Sequence, residues 1–253
     1  MNAFKSRLTQ GETLLGCWLD LASPAVTEAL AHAGFDFLVI DAEHSAIDTM
    51  DMQAMLMAIG TRAAPLVRLA DHQPAAIKRA LDAGCPNLIF PGVESAEQAR
   101  QLVAATRYPR PGEAGTRGVA GLVRAARYGL DRDYLQRANE AICVIAQIES
   151  SAGLNAAEAI AAEPGIDAIF IGPADLAASL GQLGDPAHPT VRDAILRIQA
   201  AAAASGKPCG IFASDAMQAR AALSAGHSWI ALGADVIWLL KGARDALASV
   251  RPA

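Results

Sequence analysis

Short apolar runs alternate with helix-like segments along the whole chain. Eight of these runs are rich in branched or aromatic residues, as expected for strands buried on both faces. They lie at residues 14–19, 35–40, 65–69, 87–90, 141–148, 166–171, 207–212 and 229–232. Each run is followed by a segment of helix-forming composition, and this alternation is typical of a parallel sheet. Eight such units predict an α/β fold, a single closed (β/α)8 barrel of the TIM type.

The length of the chain agrees with one barrel. It has 253 residues, and a barrel of this type typically takes about 250. Hydrophobic residues make up 53% and charged residues 19%, which favours a large core and argues against disorder. No linker or shift in composition divides the sequence, so we expect one domain over residues 1–253.

Composition also limits the classes of partner. No apolar run reaches the ~18 residues of a membrane span, and the first residues lack the apolar core of a signal peptide. The net charge of −5 gives no electrostatic reason to bind nucleic acid or an anionic membrane. The four cysteines show no CxxC spacing and are expected to be buried thiols. We therefore expect a cytoplasmic protein that binds small molecules.

Two acidic residues follow neighbouring predicted strands. Glu149 comes directly after the strand at 141–148, and Asp175 follows the strand at 166–171 after a short turn. Because parallel strands end at one face of the sheet, the two carboxylates should lie close together. Hard divalent cations prefer such oxygen ligands and often take only one or two carboxylates. The pair predicts a metal site; the alternative is a helix N-cap and a turn acid.

Two further side chains at strand ends are candidates for catalysis. Of five histidines, only His44 lies at the carboxyl end of a predicted strand, which favours acid–base work. We expect the other four at the surface: His32, His72, His188 and His227. Arg68 ends a strand among apolar neighbours. Because a buried guanidinium is costly without an anion, it must meet either a carboxylate ligand or an acid of the protein.

The lysines bear on the type of chemistry. There are four, Lys5, Lys78, Lys207 and Lys241, and none falls at the carboxyl end of a predicted strand. A Schiff-base mechanism requires a lysine in the mouth of the barrel. We therefore expect no Schiff-base lysine and no nucleotide cofactor, with the metal pair as the electrophile.

Seven motifs carry a resemblance to a known family. They are FDFLVIDAEHS, PLVRLA, ALDAG, PGVESAEQA, GTRGVA, AQIESSAGL and IGPADLAASLG, and they span about residues 10–240. Together they resemble the HpcH/HpaI family of metal-dependent (class II) pyruvate aldolases, of the 4-hydroxy-2-oxoheptanedioate aldolase kind. The resemblance implies a (β/α)8 barrel that reversibly cleaves 4-hydroxy-2-oxo acids to pyruvate, or hydroxypyruvate, and an aldehyde.

The resemblance also implies roles for individual residues. Glu149 and Asp175 match the metal ligands, with Mg²⁺, Mn²⁺ or Co²⁺ as the ion. His44 matches the general base, Asp82 the acid that raises its basicity, and Arg68 the residue that stabilises the transition state. The residues expected around the substrate are Trp18, Arg68, Gln147, Gly172, Pro173, Ala174, Asp175 and Phe212.

Asp82 fits this scheme less simply than the others. It lies near the end of its predicted helix, and barrel geometry places that end opposite the active site. A role beside His44 would therefore need a neighbouring subunit. The alternative is an acid at a helix end with a structural role.

Two helical regions carry more apolar surface than one barrel face needs. One region holds Met50, Met52, Met55, Met57 and Ile59, of which Met52, Met55 and Ile59 share one face, and the other holds Trp238, Leu239 and Leu240. A helix of an isolated barrel buries one stripe, and excess apolar surface marks an interface; the alternative is a wide core face. The resemblance implies dimers that exchange the C-terminal helix, 234–250, and assemble into hexamers as trimers of dimers.

Two other functions remain open. One is a related metal barrel of the citramalyl- or malyl-CoA lyase kind, although the chain is short and shows no evident extension for the nucleotide. The other is a non-catalytic barrel that only binds a small acid. The set His44, Arg68, Glu149 and Asp175 argues against loss of catalysis.

Overall fold

Eight parallel strands form the centre of the molecule and close into a barrel. The computed structural model describes residues 2–251. The strands are β1 (Leu14–Leu19), β2 (Phe37–Asp41), β3 (Ala64–Arg68), β4 (Asn87–Phe90), β5 (Cys143–Ile148), β6 (Ala168–Ile171), β7 (Cys209–Ala213) and β8 (Trp229–Ala234). Each strand pairs with the next along the chain, and β1 also pairs with β8. This sheet confirms the predicted (β/α)8 barrel.

Helices surround the barrel. They are α1 (Ala3–Thr9), α2 (Pro24–Ala31), α3 (Thr49–Ile59), α4 (Pro74–Asp82), α5 (Ala96–Thr106), α6 (Tyr134–Ala141), α7 (Ser151–Asn155), α8 (Ala157–Ala162), α9 (Pro173–Ser179), α10 (Pro189–Ala204), α11 (Ala216–Ser224) and α12 (Asp235–Val250). A short 3-10 helix, Arg124–Gly129, interrupts the long connection between α5 and α6. Within the described residues, no helix is both long and apolar enough to cross a membrane.

The first helix closes the amino-terminal end of the barrel. Phe4 and Leu8, one turn apart on α1, are buried. The ring centroid of Phe4 lies 5.5 Å from that of Phe37 and 6.0 Å from that of Trp229. Phe37 and Trp229 are themselves fully buried inside the barrel. The chemistry of the protein must therefore take place at the opposite, carboxyl end of the strands.

A second core layer lies between the strands and the helices. Met50 and Met57 of α3 are exposed, so an interface stays a prediction for these two. Met52, Met55 and Ile59 of α3 are buried in this layer, so the prediction that these three residues form an interface is wrong. They are a wide core face, the alternative raised above. The four cysteines, Cys17, Cys85, Cys143 and Cys209, are buried free thiols as predicted.

The last helix leaves the barrel after its first turn. Asp235 is buried and Trp238 packs partly against the core, whereas all residues from 239 to 250 are exposed. Leu239 is 61% exposed and Leu247 is 51% exposed. Most of α12 therefore presents apolar side chains to the surroundings of this chain.

Candidate active site

A cavity of about 890 Å³ opens at the carboxyl ends of the strands and continues between α10 and α11. It is lined by every predicted catalytic, metal-binding and substrate-binding residue except Asp82: Trp18, His44, Arg68, Gln147, Glu149, Gly172, Pro173, Ala174, Asp175 and Phe212. Asp20 and Asp41 line it as well. Because all eight strands are parallel, residues that are far apart in sequence meet at this one end.

Arg68 is fixed in the cavity by an acid of the protein. Asp41 and Arg68 are register partners at the ends of β2 and β3. The guanidinium donates from Nε to Asp41 Oδ1 at 2.8 Å and from Nη2 to Asp41 Oδ2 at 2.7 Å. Its Nη1 lies 3.2 Å from Glu43 Oε2, and its Cζ lies 4.3 Å from the ring centroid of Trp18. Of the two anions considered for Arg68, the structure thus provides the protein carboxylate.

Glu149 is buried at the end of β5 with both oxygens engaged. Oε1 accepts a hydrogen bond from the Gly92 N–H at 2.7 Å, and Oε2 accepts one from the Gln147 side-chain amide. Burial raises the pKa of Glu149 to about 7, although these two hydrogen bonds lower it. The N-cap of α7 is Ser150, whose Oγ accepts from the Gly153 N–H. The alternative role of Glu149 as an N-cap is therefore wrong.

The backbone beside Glu149 is shaped to its carboxylate. A Cβ on Gly172 would lie 2.3 Å from Glu149 Oε2, closer than atoms can approach. Gly172 is thus the residue that lets the end of β6 pass beside the carboxylate. The next acid, Asp175, lies in the first turn of α9 and is exposed to the cavity.

Glu149 and Asp175 form a two-carboxylate set. The described residues contain no group of three or more His, Cys, Asp or Glu side chains that could hold a metal ion. Two carboxylates leave coordination positions for substrate and water, as is common for Mg²⁺. Next to them, Gln147 Oε1 is buried and has no hydrogen-bond partner within residues 2–251. The two carboxylates fit a divalent cation that keeps some of its water. The unpaired oxygen of Gln147 can accept a hydrogen bond from such a water or from a ligand beside the cation.

His44 and Asp82 are not brought together within one chain. His44 follows β2, its side chain is 62% exposed, and its Nε2 lies 3.9 Å from Glu43 Oε2. Asp82 is the last residue of α4, which runs from the cavity towards the opposite end of the barrel. There, Asp82 Oδ1 accepts a hydrogen bond from Arg117 Nη2 at 2.8 Å.

Two of the histidines assigned to the surface lie elsewhere. His227 is buried at 4% exposure beside β8. His72 is half-buried, with Nε2 2.6 Å from the Pro91 carbonyl oxygen and Nδ1 2.8 Å from the Gln98 amide. His72 lies in a loop after β3, and His227 lies in a loop before β8. The packing of such short loops cannot be read from the local sequence. His227 lines the cavity that contains Glu149, and His72 lines a smaller pocket beside it, together with Gly92 and Glu149.

Asp235 is a site residue that the sequence prediction does not include. It is buried directly after β8 and accepts hydrogen bonds from the backbone N–H groups of Asp20 and Leu21, each at 3.0 Å. An acid in the first turn of the helix predicted after the eighth strand is the signal that could have identified it. Asp235 holds the end of β1 in place, and with it the cavity residue Asp20.

Comparison with known proteins agrees with the geometry. Residues 14–241 match the sequence profile of the HpcH/HpaI aldolase/citrate lyase family. The chain is 50% identical to a hydroxypyruvate/pyruvate aldolase of Paraburkholderia phytofirmans, over 99% of this chain and 98% of that protein. It is 46% identical to a 5-keto-4-deoxy-D-glucarate aldolase of Salmonella newport (strain SL254), over 93% of this chain and 91% of that protein.

A solved structure shows the same similarity in three dimensions. It is a HpcH/HpaI aldolase/citrate lyase family protein from Burkholderia cenocepacia J2315, with a TM-score of 0.97 and 48% sequence identity, and all of both chains is covered. Both curated relatives are aldolases, which confirms the prediction that this chain is an aldolase-type lyase. The chain belongs to the HpcH/HpaI aldolase/citrate lyase family.

Proposed function

We propose that this protein is a divalent-metal-dependent aldolase that reversibly cleaves 4-hydroxy-2-oxo acids into pyruvate, or hydroxypyruvate, and an aldehyde. The observation that carries the proposal is the convergence of Glu149, Asp175, Arg68 and His44 on one cavity. The names of the two curated relatives, a hydroxypyruvate/pyruvate aldolase and a 5-keto-4-deoxy-D-glucarate aldolase, support the same reaction class.

Glu149 and Asp175 are the proposed ligands of the cation, which would be Mg²⁺, Mn²⁺ or Co²⁺. When bound, the cation supplies Lewis acidity towards the oxygens of the 2-oxo acid. Gln147 Oε1, buried and unpaired within residues 2–251, faces the same end of the cavity and is available to a water or substrate donor. The backbone turn at Gly172, Pro173 and Ala174 forms the wall against which the small 2-oxo acid packs.

Arg68 provides a fixed positive charge where the reaction develops negative charge. Cleavage of the C3–C4 bond leaves an electron pair on the pyruvate fragment. A guanidinium held by Asp41 needs no reorganisation to stabilise that charge in a partly buried site. Trp18, stacked on the guanidinium, keeps water from one of its faces.

His44 is the proposed base. In cleavage it takes the proton of the C4 hydroxyl, directly or through a water, and in synthesis it returns that proton. Its exposed position at the rim suits a group that must exchange its proton with solvent. The four lysines support this mechanism over a Schiff base. Lys5 and Lys207 bind carbonyl oxygens of Ile142 and Ile166, away from the cavity, and Lys241 pairs with Asp245. Lys78 is exposed on α4 and is not among the cavity residues.

The assembly proposal concerns Asp82 and α12. We propose a homo-oligomer, a hexamer built as a trimer of dimers, in which α12 is exchanged between subunits and Asp82 of one subunit approaches His44 of another. The exposed apolar side chains of α12 support an exchange, because such surface is stable only when covered. The four buried free thiols support residence in the reducing cytoplasm.

The test is a metal titration combined with an assay of pyruvate release. Chelator-treated protein should release no pyruvate from a 4-hydroxy-2-oxo acid, and Mg²⁺, Mn²⁺ or Co²⁺ should restore the activity. Glu149→Gln should abolish the restored activity, whereas Glu158→Gln, at an exposed position on α8, should not. Activity only with a CoA thioester would favour the citramalyl- or malyl-CoA lyase alternative. Binding of pyruvate without turnover of any substrate would favour the non-catalytic barrel.

A further inference from the structure

Asp20 is a cavity carboxylate to which the proposed reaction gives no role. It follows β1 directly and lines the cavity together with Trp18, Asp41 and His44. Its backbone N–H donates to Asp235 Oδ1, and the N–H of Leu21 donates to Asp235 Oδ2. These two hydrogen bonds fix the backbone at the end of β1. The position of Asp20 at the rim is thus determined by the fold rather than by a flexible loop.

The side chain of Asp20 is free for a ligand. Within residues 2–251, its carboxylate forms no hydrogen bond or ion pair, although its backbone is held firmly. Burial, together with the negative charges of Asp41 and Asp235, raises its pKa to about 6, and Arg68 and His44 oppose the rise. At neutral pH the carboxylate is therefore ionised. Asp20 lines the cavity that substrate must enter.

The order of the strands divides the cavity into two sides. Asp20 follows β1 and His44 follows β2, and these two strands are neighbours. Glu149 follows β5 and Asp175 follows β6, which are neighbours on the other side of the closed barrel. Asp20 thus lies with the proposed base, and the proposed metal ligands lie on the side of β5 and β6.

We propose that Asp20 selects the aldehyde part of the substrate: it accepts a hydrogen bond from a hydroxyl on that part and repels a carboxylate there. This inference rests on the proposed function. If the 2-oxo acid end binds beside Glu149 and Asp175, the rest of the molecule must extend towards His44, because His44 exchanges the proton of the C4 hydroxyl. Asp20 is the ionised side chain that this extension meets.

One cation of the cavity opposes this selection. Arg192 lines the cavity from α10, which packs on β6, so it belongs to the side of the metal ligands. A carboxylate of the aldehyde that turned towards Arg192 would escape Asp20. The experiment therefore includes a variant of each residue.

Two pairs of aldehydes separate charge from hydrogen bonding. Succinic semialdehyde and butyraldehyde differ only in a carboxylate in place of a methyl group, and lactaldehyde and propionaldehyde differ only in one hydroxyl. The metal-loaded enzyme is assayed for aldol synthesis with pyruvate and each aldehyde, and kcat/KM is measured. Asp20→Asn should raise the ratio of kcat/KM for succinic semialdehyde to kcat/KM for butyraldehyde about tenfold. This is the size expected for removing one like charge at a partly solvated site.

The hydroxyl pair tests the hydrogen bond. Asp20→Ala should lower the ratio of kcat/KM for lactaldehyde to kcat/KM for propionaldehyde about fivefold. Asp20→Asn should keep most of the wild-type preference for lactaldehyde, because the amide oxygen still accepts a hydrogen bond from the hydroxyl. The KM for pyruvate should not change in either variant, which shows that the metal side is intact. Glu28→Gln, at an exposed position on α2, is the matched control and should change neither ratio.

Several outcomes would overturn the inference. Unchanged ratios in both Asp20 variants, with the wild type active, would remove Asp20 from recognition and leave the proposed function standing. In a second outcome, Asp20→Asn leaves the ratio of kcat/KM for succinic semialdehyde to that for butyraldehyde unchanged, and Arg192→Gln loses turnover of succinic semialdehyde. This outcome would assign recognition of the carboxylate to Arg192. No metal-dependent synthesis by the wild type with any of the aldehydes would overturn the proposed function, and this inference with it.

Discussion

Arg68 and Asp41 form a two-point hydrogen-bonded pair across adjacent strands, with Nε to Oδ1 at 2.8 Å and Nη2 to Oδ2 at 2.7 Å. Asp41 is buried at 2% exposure, and the side chain of Arg68 is 11% exposed. A pair of this kind contributes little net stability, but the loss of one partner leaves a buried charge uncompensated. Asp41 should therefore matter for both folding and catalysis.

The first prediction concerns Asp41→Asn. The variant keeps the shape of the side chain and removes its charge, so the free energy of unfolding should fall by about 3 kcal/mol. Denaturant unfolding at fixed protein concentration measures this change. Glu97→Gln is the control, because Glu97 pairs with Arg100 through exposed side chains on α5, and it should cost under about 0.5 kcal/mol. Equal effects of the two variants would contradict the prediction.

The second prediction concerns Gly172→Ala. The new Cβ would lie 2.3 Å from Glu149 Oε2, so the carboxylate must move. The affinity for Mn²⁺, measured by calorimetry, should fall about 10- to 100-fold, the range for changes next to metal ligands. Gly121→Ala is the control, since nothing lies within 4 Å of the position that its Cβ would occupy. Unchanged Mn²⁺ affinity in Gly172→Ala would exclude Glu149 as a ligand.

The eight strands could be predicted because parallel strands covered on both faces require continuous apolar runs. For the same reason the strand ends, and most of the cavity residues, could be found without coordinates. The helix α1 could not, because a seven-residue segment with Phe4 and Leu8 one turn apart does not reveal what those residues pack against. The split of the segment after β5 into α7 and α8 is likewise local geometry.

The pairing inside the site depends on register, which the sequence does not contain. Arg68 requires an anion, but the choice of Asp41 follows from the alignment of β2 with β3. The role of Asp235 as a backbone acceptor follows from the closure of β8 against β1. The interface assigned to Met52, Met55 and Ile59 is wrong because a wide core face and an interface have the same apolar pattern in one sequence.

The third prediction concerns His44→Ala. Cleavage of a 4-hydroxy-2-oxo acid should slow by about 10²–10⁴-fold, because the C4 hydroxyl loses its proton acceptor. Decarboxylation of oxaloacetate leaves an electron pair on the same pyruvate fragment without removal of a hydroxyl proton. It should therefore slow much less, and Mn²⁺ affinity should be unchanged. His32→Ala, at an exposed position after α2, is the control. Equal losses in the two reactions would argue for a general effect on the site.

The fourth prediction is a pH dependence of substrate preference. The pKa of Asp20 is raised to about 6, so its negative charge is present above that pH and is lost as the pH falls through it. The preference for butyraldehyde over succinic semialdehyde should therefore weaken between about pH 7 and pH 5. The ratio cancels effects common to both aldehydes. In Asp20→Asn the ratio should be independent of pH; a wild-type ratio that is also flat would contradict the prediction.

The fifth prediction concerns Asp82, whose carboxylate binds Arg117 at the end of the barrel opposite the cavity. If Asp82 of one subunit serves His44 of another, Asp82→Asn should lower kcat for cleavage about tenfold with little change in the KM for the 4-hydroxy-2-oxo acid. Glu97→Gln, an exposed substitution on α5, should change neither. If Asp82 has only a structural role, Asp82→Asn should instead lower the free energy of unfolding and leave kcat unchanged.

Mixed oligomers give the sharper form of this test. His44→Ala and Asp82→Asn chains, each impaired alone, are unfolded together and refolded at equal concentration. In random assembly, about a quarter of the sites combine an intact His44 with an intact Asp82 of the neighbour, so a corresponding share of wild-type activity should return. The same protocol applied to each variant alone should restore nothing. If the mixture stays as inactive as its components, or if light scattering finds a fully active monomer, the shared site is excluded.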